Sequence, residues 1–179
     1  MTRRDDRTDA EFSEFAVSVR GRLRRTAYLL CGDWDRASDF AQEGLIRVYV
    51  NWPRIKRQGG ELAYARSAVV SAFIDASRRR SSRELPVMPD PSVPSPEDVA
   101  ASVTDRAALM AAMAGLPPRQ RACLVLRYFE ELDVRETAAV LGCSEGTVKS
   151  QTSRALASLR SVFESASRDE LVISSNGRQ

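Results

Sequence analysis

The sequence contains no histidine. That removes Ser-His-Asp and Cys-His catalytic arrangements and every zinc site built on imidazole. Cysteine is nearly as scarce: Cys31, Cys123 and Cys143 are an odd number, far apart, with no CxxC spacing. Each lies in an apolar or turn setting, so they read as buried reduced thiols rather than a disulfide framework or a metal cage. A Walker-type phosphate loop and a GxGxxG are both missing, so nucleotide chemistry has no local support. No apolar run reaches membrane-spanning length, and no apolar signal segment follows the early Arg3, Arg4 and Arg7. The expectation is a cytoplasmic protein without a membrane span, and the case for a hydrolase is weak.

What the chain does have is ordinary apolar content and an uneven charge. At 179 residues it suits one domain or two small ones. Residues 52–83 hold eight Arg or Lys against two acids, whereas residues 84–105 hold five acids and no base. The net charge of +3 hides that asymmetry. Five of the eight prolines (Pro86, Pro89, Pro91, Pro94 and Pro96) crowd into residues 84–101, which excludes helix there and predicts an extended linker.

The most informative stretch is DVRETAAVLGCSEGTVKSQTSRALASLR, Asp133 to Arg160. Asp133 is placed to N-cap a short helix, with Glu136 as its capping-box partner. Gly142 suits a left-handed turn, and Ser144 can cap a second helix from Glu145 to about Arg160. At ~100° per residue, Thr152, Ala155 and Leu159 fall within about 40° of Val148. Thr147, Ser150, Gln151, Arg154 and Ser158 gather on the opposite side. One apolar face and one small, polar, basic face make a helix-turn-helix whose second helix reads a DNA major groove. The other reading is a surface helical hairpin within a bundle.

Before the linker, three helices are predicted. Phe12, Phe15, Ala16, Val19, Leu23, Ala27 and Leu30 form one stripe across residues 11–31. Ala37, Phe40, Ala41, Gly44, Leu45, Val48 and Trp52 form a second across residues 35–52, with Pro53 expected to end that helix. Its outward face mixes Arg36, Asp39, Glu43 and Arg47 with Ile46 and Val50, which suits equally a protein interface with an apolar centre and chance exposure of single apolar residues. PRIKRQGG (residues 53–60) is expected to be a basic loop. A third helix, residues 61–80, buries Leu62, Ala65, Val69, Ala72, Phe73 and Ala76. It turns Tyr64, Ser67, Ser71, Asp75 and Arg78 outward and ends in Arg78, Arg79 and Arg80. Basic charge beside an outward Tyr suits nucleic acid with a stacking platform, the other reading being the ordinary preference of basic residues for a helix C-terminus.

After the linker, a helix from about Thr104 to Ala114 turns Leu109 and Met113 inward. Pro118 then opens another, from which Cys123, Leu124, Val125 and Tyr128 pack on the hairpin. Past Arg160 the periodicity fades. Val162 and Phe163 are expected to finish the core, with a flexible tail beyond.

Together these motifs resemble bacterial RNA polymerase sigma factors of the sigma-70 superfamily, in the small, two-domain extracytoplasmic-function (group IV) class. LPPRQRACLVLRYFEELDVRETAAVLGCSEGTVKSQTSRALASLR resembles region 4, Asp39-Phe40-Ala41-Gln42-Glu43 the Asp-x-x-Gln-Glu motif of region 2.2, and AYARSAVVSAFIDASRRR regions 2.3 and 2.4. The resemblance implies an all-α fold of two small helical domains: region 2 at 10–83, a flexible linker at 84–101, region 4 at 102–163, and a tail at 164–179.

It also implies a transcription initiation factor that binds rather than catalyses, is not an enzyme and needs no cofactor or metal, and whose partners are promoter DNA and bacterial core RNA polymerase, through the β′ clamp helices and the β flap. Control by an anti-sigma factor is compatible with it. Asp39, Gln42 and Glu43 would dock the polymerase. Tyr64, Arg66, Ser71, Arg78, Arg79 and Arg80 would hold the melted −10 element, and Thr147, Ser150, Gln151 and Arg154 would read the −35 element with Lys149 on phosphate. Ser71 stands where the family usually has Asn, Tyr64 where Trp is common, and Phe40-Ala41 replaces a more usual aliphatic pair. Two other readings are a stand-alone helix-turn-helix transcription regulator and an enzyme such as a recombinase with a helix-turn-helix tail.

Overall fold

A computed structural model describes residues 3–58, 60–81 and 100–176, with side chains over 8–55, 60–80 and 106–166. Those residues are helical throughout, apart from short turns. Helices α1 (Arg3–Cys31), α2 (Trp34–Gln58) and α3 (Glu61–Ser81) pack mutually as a three-helix bundle. The expected stripes face its core: Leu23, Ala27, Leu30, Ala37, Val48, Trp52, Ala65, Val69 and Ala72 are all essentially inaccessible. Phe12 and Phe15 close one end against Trp52, with ring centroids 5.4 and 5.1 Å away.

Pro53 does not end α2, which runs five residues further to Gln58. The proline is exposed while Trp52 and Ile55 on either side of it are buried. Burying those two side chains offsets the lost backbone hydrogen bond, so the expected basic loop shrinks to the turn before α3. There Gly60 takes a φ of 85° and its carbonyl accepts from the Tyr64 N–H.

The C-terminal half contains α4 (Ala100–Ala114), α5 (Pro118–Leu124), a π-helical turn (Val125–Phe129), α6 (Val134–Leu141) and α7 (Glu145–Asn176). Pro118 does sit in the first turn of α5. Leu109 and Met113 of α4 face inward, and Leu116, Leu124 and Ala155 form a small separate core. Most of the expected linker lies outside the described residues, but its last two positions, Ala100 and Ala101, already belong to α4.

Two expectations for this half need correcting. Tyr128 is exposed rather than packed on the hairpin, because the π turn rotates the chain after Leu126 and carries Tyr128 and Phe129 outward. The helix also does not stop near Arg160: α7 continues to Asn176, and Val162 and Phe163 are about half exposed. No glycine or proline lies between Arg160 and Gly177, and a nucleated helix extends at little cost.

Candidate nucleic-acid and polymerase interfaces

The α6–α7 pair has the geometry its sequence predicts. The Asp133 carboxylate accepts from the Glu136 N–H at 2.7 Å, and the Glu136 carboxylate accepts from the Asp133 N–H at 2.8 Å. Gly142 is left-handed (φ 59°), and the N–H groups of Gly142 and Cys143 both reach the Ala138 carbonyl. Ser144 caps α7 by accepting from the Thr147 N–H at 3.1 Å. Val148 and Ala155 are fully buried, with Ala138 of α6 also inside. The opposite side of α7 leaves Lys149, Ser150 and Arg154 exposed and Thr147 and Gln151 half-exposed. Thr147 also shares a hydroxyl contact with Ser144 (2.8 Å), so part of its capacity is used in the cap. Five expected DNA-facing residues thus lie within two turns of one accessible helix.

On α2, Asp39 and Gln42 are exposed, while Glu43 is half-buried and paired with Arg47 at 2.5 Å. Ile46 (55% accessible) and Val50 (73%) stand beside them, giving the expected apolar patch among charges. Gln42, Leu45, Ile46 and Tyr49 line a shallow groove whose other wall is Asp9, Phe12 and Ser13 of α1. The Tyr49 hydroxyl donates to Asp9 across it, at 2.9 Å.

The α3 residues expected at the −10 element are more scattered. Tyr64 is exposed at one end and Arg78, Arg79 and Arg80 are exposed at the other. Fourteen residues of helix separate Tyr64 from Arg78, roughly 21 Å. Ser71 is half-buried and Arg66 is buried. Arg66 is therefore not on the accessible surface in this conformation.

A family profile described as Sigma-70 region 2 matches residues 15–83, and one described as Sigma-70, region 4 matches residues 106–159. The chain is 37% identical over 171 residues to the RNA polymerase sigma-E factor of Streptomyces avermitilis, covering 94% of each. The chain belongs to the extracytoplasmic-function sigma factors of the sigma-70 superfamily. The sigma-E factor of Streptomyces coelicolor is 38% identical over 150 residues, covering 84% of each chain. The fold matches the sigma factor RpoE solved in complex with the anti-sigma factor NepR from Bartonella quintana. That match has a TM-score of 0.65 at 20% identity, over 86% of this chain and 97% of the other. As a sigma factor the protein directs RNA polymerase to promoters through regions 2 and 4, and it is not itself an enzyme. The stand-alone regulator and recombinase readings lose their support.

In this sigma factor the two regions pack directly on one another. Val125, Leu126, Leu132 and Met113 of the C-terminal half join the same apolar cluster as Leu23, Val69 and Val70. The Ser67 hydroxyl donates to the Val140 carbonyl at 3.0 Å. Arg121 donates to the Leu30 carbonyl at 2.6 Å and to the carbonyls of Ala114 and Leu116, tying the ends of α1 and α4 together. Burial pulls the Arg121 guanidinium below its ordinary pKa.

At the centre is Glu130, 8% accessible. Its carboxylate lies 2.8 Å from the Arg66 guanidinium and 3.0 Å from that of Arg22, and it accepts the Thr26 hydroxyl. The sequence reading left Arg22 open between a solvated face and a partner or nucleic-acid contact, and it missed Thr26, Glu130 and Arg121. Thr26 interrupting the Leu23-Ala27-Leu30 stripe was an available signal, as was Arg66 beside Ala65 and Val69.

Proposed function

We propose that this sigma factor divides its work between two surfaces. Residues 10–83 dock core polymerase and hold the melted −10 element, and residues 102–163 read the −35 element, with residues 84–101 as the connection. The observation that best supports this is α7, whose buried side (Val148, Ala155) is opposed by an accessible polar and basic side. Gln151 and Arg154 carry the donors that purine edges and phosphates need, and Lys149 on the flank takes phosphate.

The polymerase contact is Asp39, Gln42 and Glu43 around the exposed Ile46 and Val50, a polar rim about an apolar centre that suits the β′ clamp helices. Region 4 engages the β flap. Tyr64 supplies a stacking face for an unpaired base, Ser71 lies between it and the helix end, and Arg78, Arg79 and Arg80 supply positive charge for the displaced strand. The protein acts in the cytoplasm with the polymerase. An anti-sigma factor is the partner type that would hold it inactive.

Co-elution with core polymerase tests this reading. Wild-type protein is expected to co-elute, and the double charge reversal Asp39→Arg/Glu43→Arg to lose that association. Unchanged association of the double variant would contradict the assigned face.

A further inference from the structure

Glu130 is an anion with two guanidinium partners and one hydroxyl partner, all from the other domain. Arg22 and Arg66 come from different helices of the N-terminal bundle, α1 and α3, and converge on the same oxygen, Oε2. The Thr26 hydroxyl takes Oε1. Two guanidinium groups and a hydroxyl converging on one anionic group is also how proteins hold a phosphate. Only Arg22 is substantially accessible, with half its side chain in water; Arg66 and Glu130 are about nine-tenths buried. A buried guanidinium needs an anion, so Arg66 is stable in this setting only while Glu130 or a substitute is present. The backbone carrying Glu130 is held in place: its N–H donates to the Val125 carbonyl, and the next N–H pair is Leu132 to Leu126.

We propose that Glu130 is an internal competitor for a nucleic-acid phosphate at the Arg22–Arg66 pair, and that its insertion holds regions 2 and 4 closed on each other. While the carboxylate is in place, Arg66 is withdrawn from DNA and the Ser67 side of α3 is covered by α6. When the domains part, the two arginines and Thr26 form an anion site on region 2 that a backbone phosphate of the melted strand fills. Closure and strand capture are then mutually exclusive by chemistry, because both use the same two guanidinium charges and the same hydroxyl. This rests on the reading of region 2 as the strand-holding domain, and it adds Arg22, which lies outside the stretch resembling regions 2.3 and 2.4.

The test uses the full-length chain without polymerase. Glu130→Gln keeps the side-chain volume and removes the charge. Small-angle scattering should show a larger radius of gyration for this variant than for wild type. Anisotropy with a short random-sequence single-stranded oligodeoxynucleotide should show at least about tenfold tighter binding, with a steeper salt dependence. Adding Arg22→Gln to Glu130→Gln should leave the chain expanded but return the affinity towards wild type. If Glu130→Gln does not fold by circular dichroism, Ser67→Ala, which removes the Ser67–Val140 bond between the two halves and leaves the anion site intact, should show the same changes with smaller amplitude. Wild-type scattering or wild-type oligonucleotide affinity in a folded Glu130→Gln protein overturns the proposal. Promoter-directed transcription with core polymerase is measured alongside. Its absence for wild type would overturn the assigned sigma-factor surfaces, whereas scattering separately reports whether Glu130 closes the chain.

Discussion

A β-carbon at Gly44 of α2 would stand 2.6 Å from Cγ2 of Val69 on α3 and 3.3 Å from its backbone nitrogen. The two helices therefore touch at backbone level where they cross. That crossing fixes the angle between the Asp39–Glu43 face of α2 and the Tyr64–Arg80 length of α3. Alanine at 44 would gain up to about 1 kcal/mol of helix propensity. It would also force helix separation or an unfavourable Val69 rotamer, at about 1–3 kcal/mol. Gly44→Ala should lower the unfolding free energy by about 1–2 kcal/mol in urea melts, while Gly21→Ala, which meets nothing within 4 Å, should not.

Glu131 is the one non-glycine residue with positive φ among the described residues, at 57°. It is exposed, so its side chain contributes little to packing, and the conformation costs on the order of 1 kcal/mol. Glu131→Gly should raise stability by about 0.5–1 kcal/mol, less than the full strain because glycine also loosens the unfolded chain. The denaturant midpoint measures it; a fall would mean that Glu131 has favourable contacts outweighing its backbone strain.

Burial raises the Cys123 thiol from 9.0 to about 11. Between those values the unfolded chain has released a proton that the folded chain retains. Stability is therefore full below about pH 9 and falls as the pH rises towards 11, by about 2 kcal/mol from this group. The Cys31 thiol is also raised, chiefly by burial, and acts in the same direction. Urea melts from pH 8 to 11 should show a decline that is shallower in Cys123→Ala. Equal slopes for the two proteins would remove Cys123 as a source of it.

The helices of both halves, the capping box, the Gly142 turn and the apolar side of α7 were legible in the sequence because each depends on neighbours within a turn or two. The packing of α3 was legible only on one side. Ala65, Val69 and Ala72 read as core, but the burial of Arg66, Ala68 and Val70 depends on the distant C-terminal half covering α3 as well. Helical periodicity reports that a face is apolar; it does not report a charged residue buried through a partner more than 60 positions away. The same limit hid Thr26, whose bond to Glu130 spans 104 positions. The continuation of α2 through Pro53 was misread for a related reason: a local penalty was outweighed by burial of Trp52 and Ile55, which local sequence does not weigh.

On the function proposed above, α7 sets where this sigma factor sends the polymerase. Transcription in vitro with core polymerase over a template library randomised at the −35 and −10 elements tests it most directly. Wild-type protein should select a defined −35 sequence. Gln151→Ala or Arg154→Ala should change base preference at one or two −35 positions, at about 1–3 kcal/mol each, and leave the −10 preference intact. Lys149→Ala should weaken initiation on all templates alike. Uniform weakening by Gln151→Ala and Arg154→Ala, with no change in selected sequence, would contradict the assignment of that face of α7 to the DNA bases.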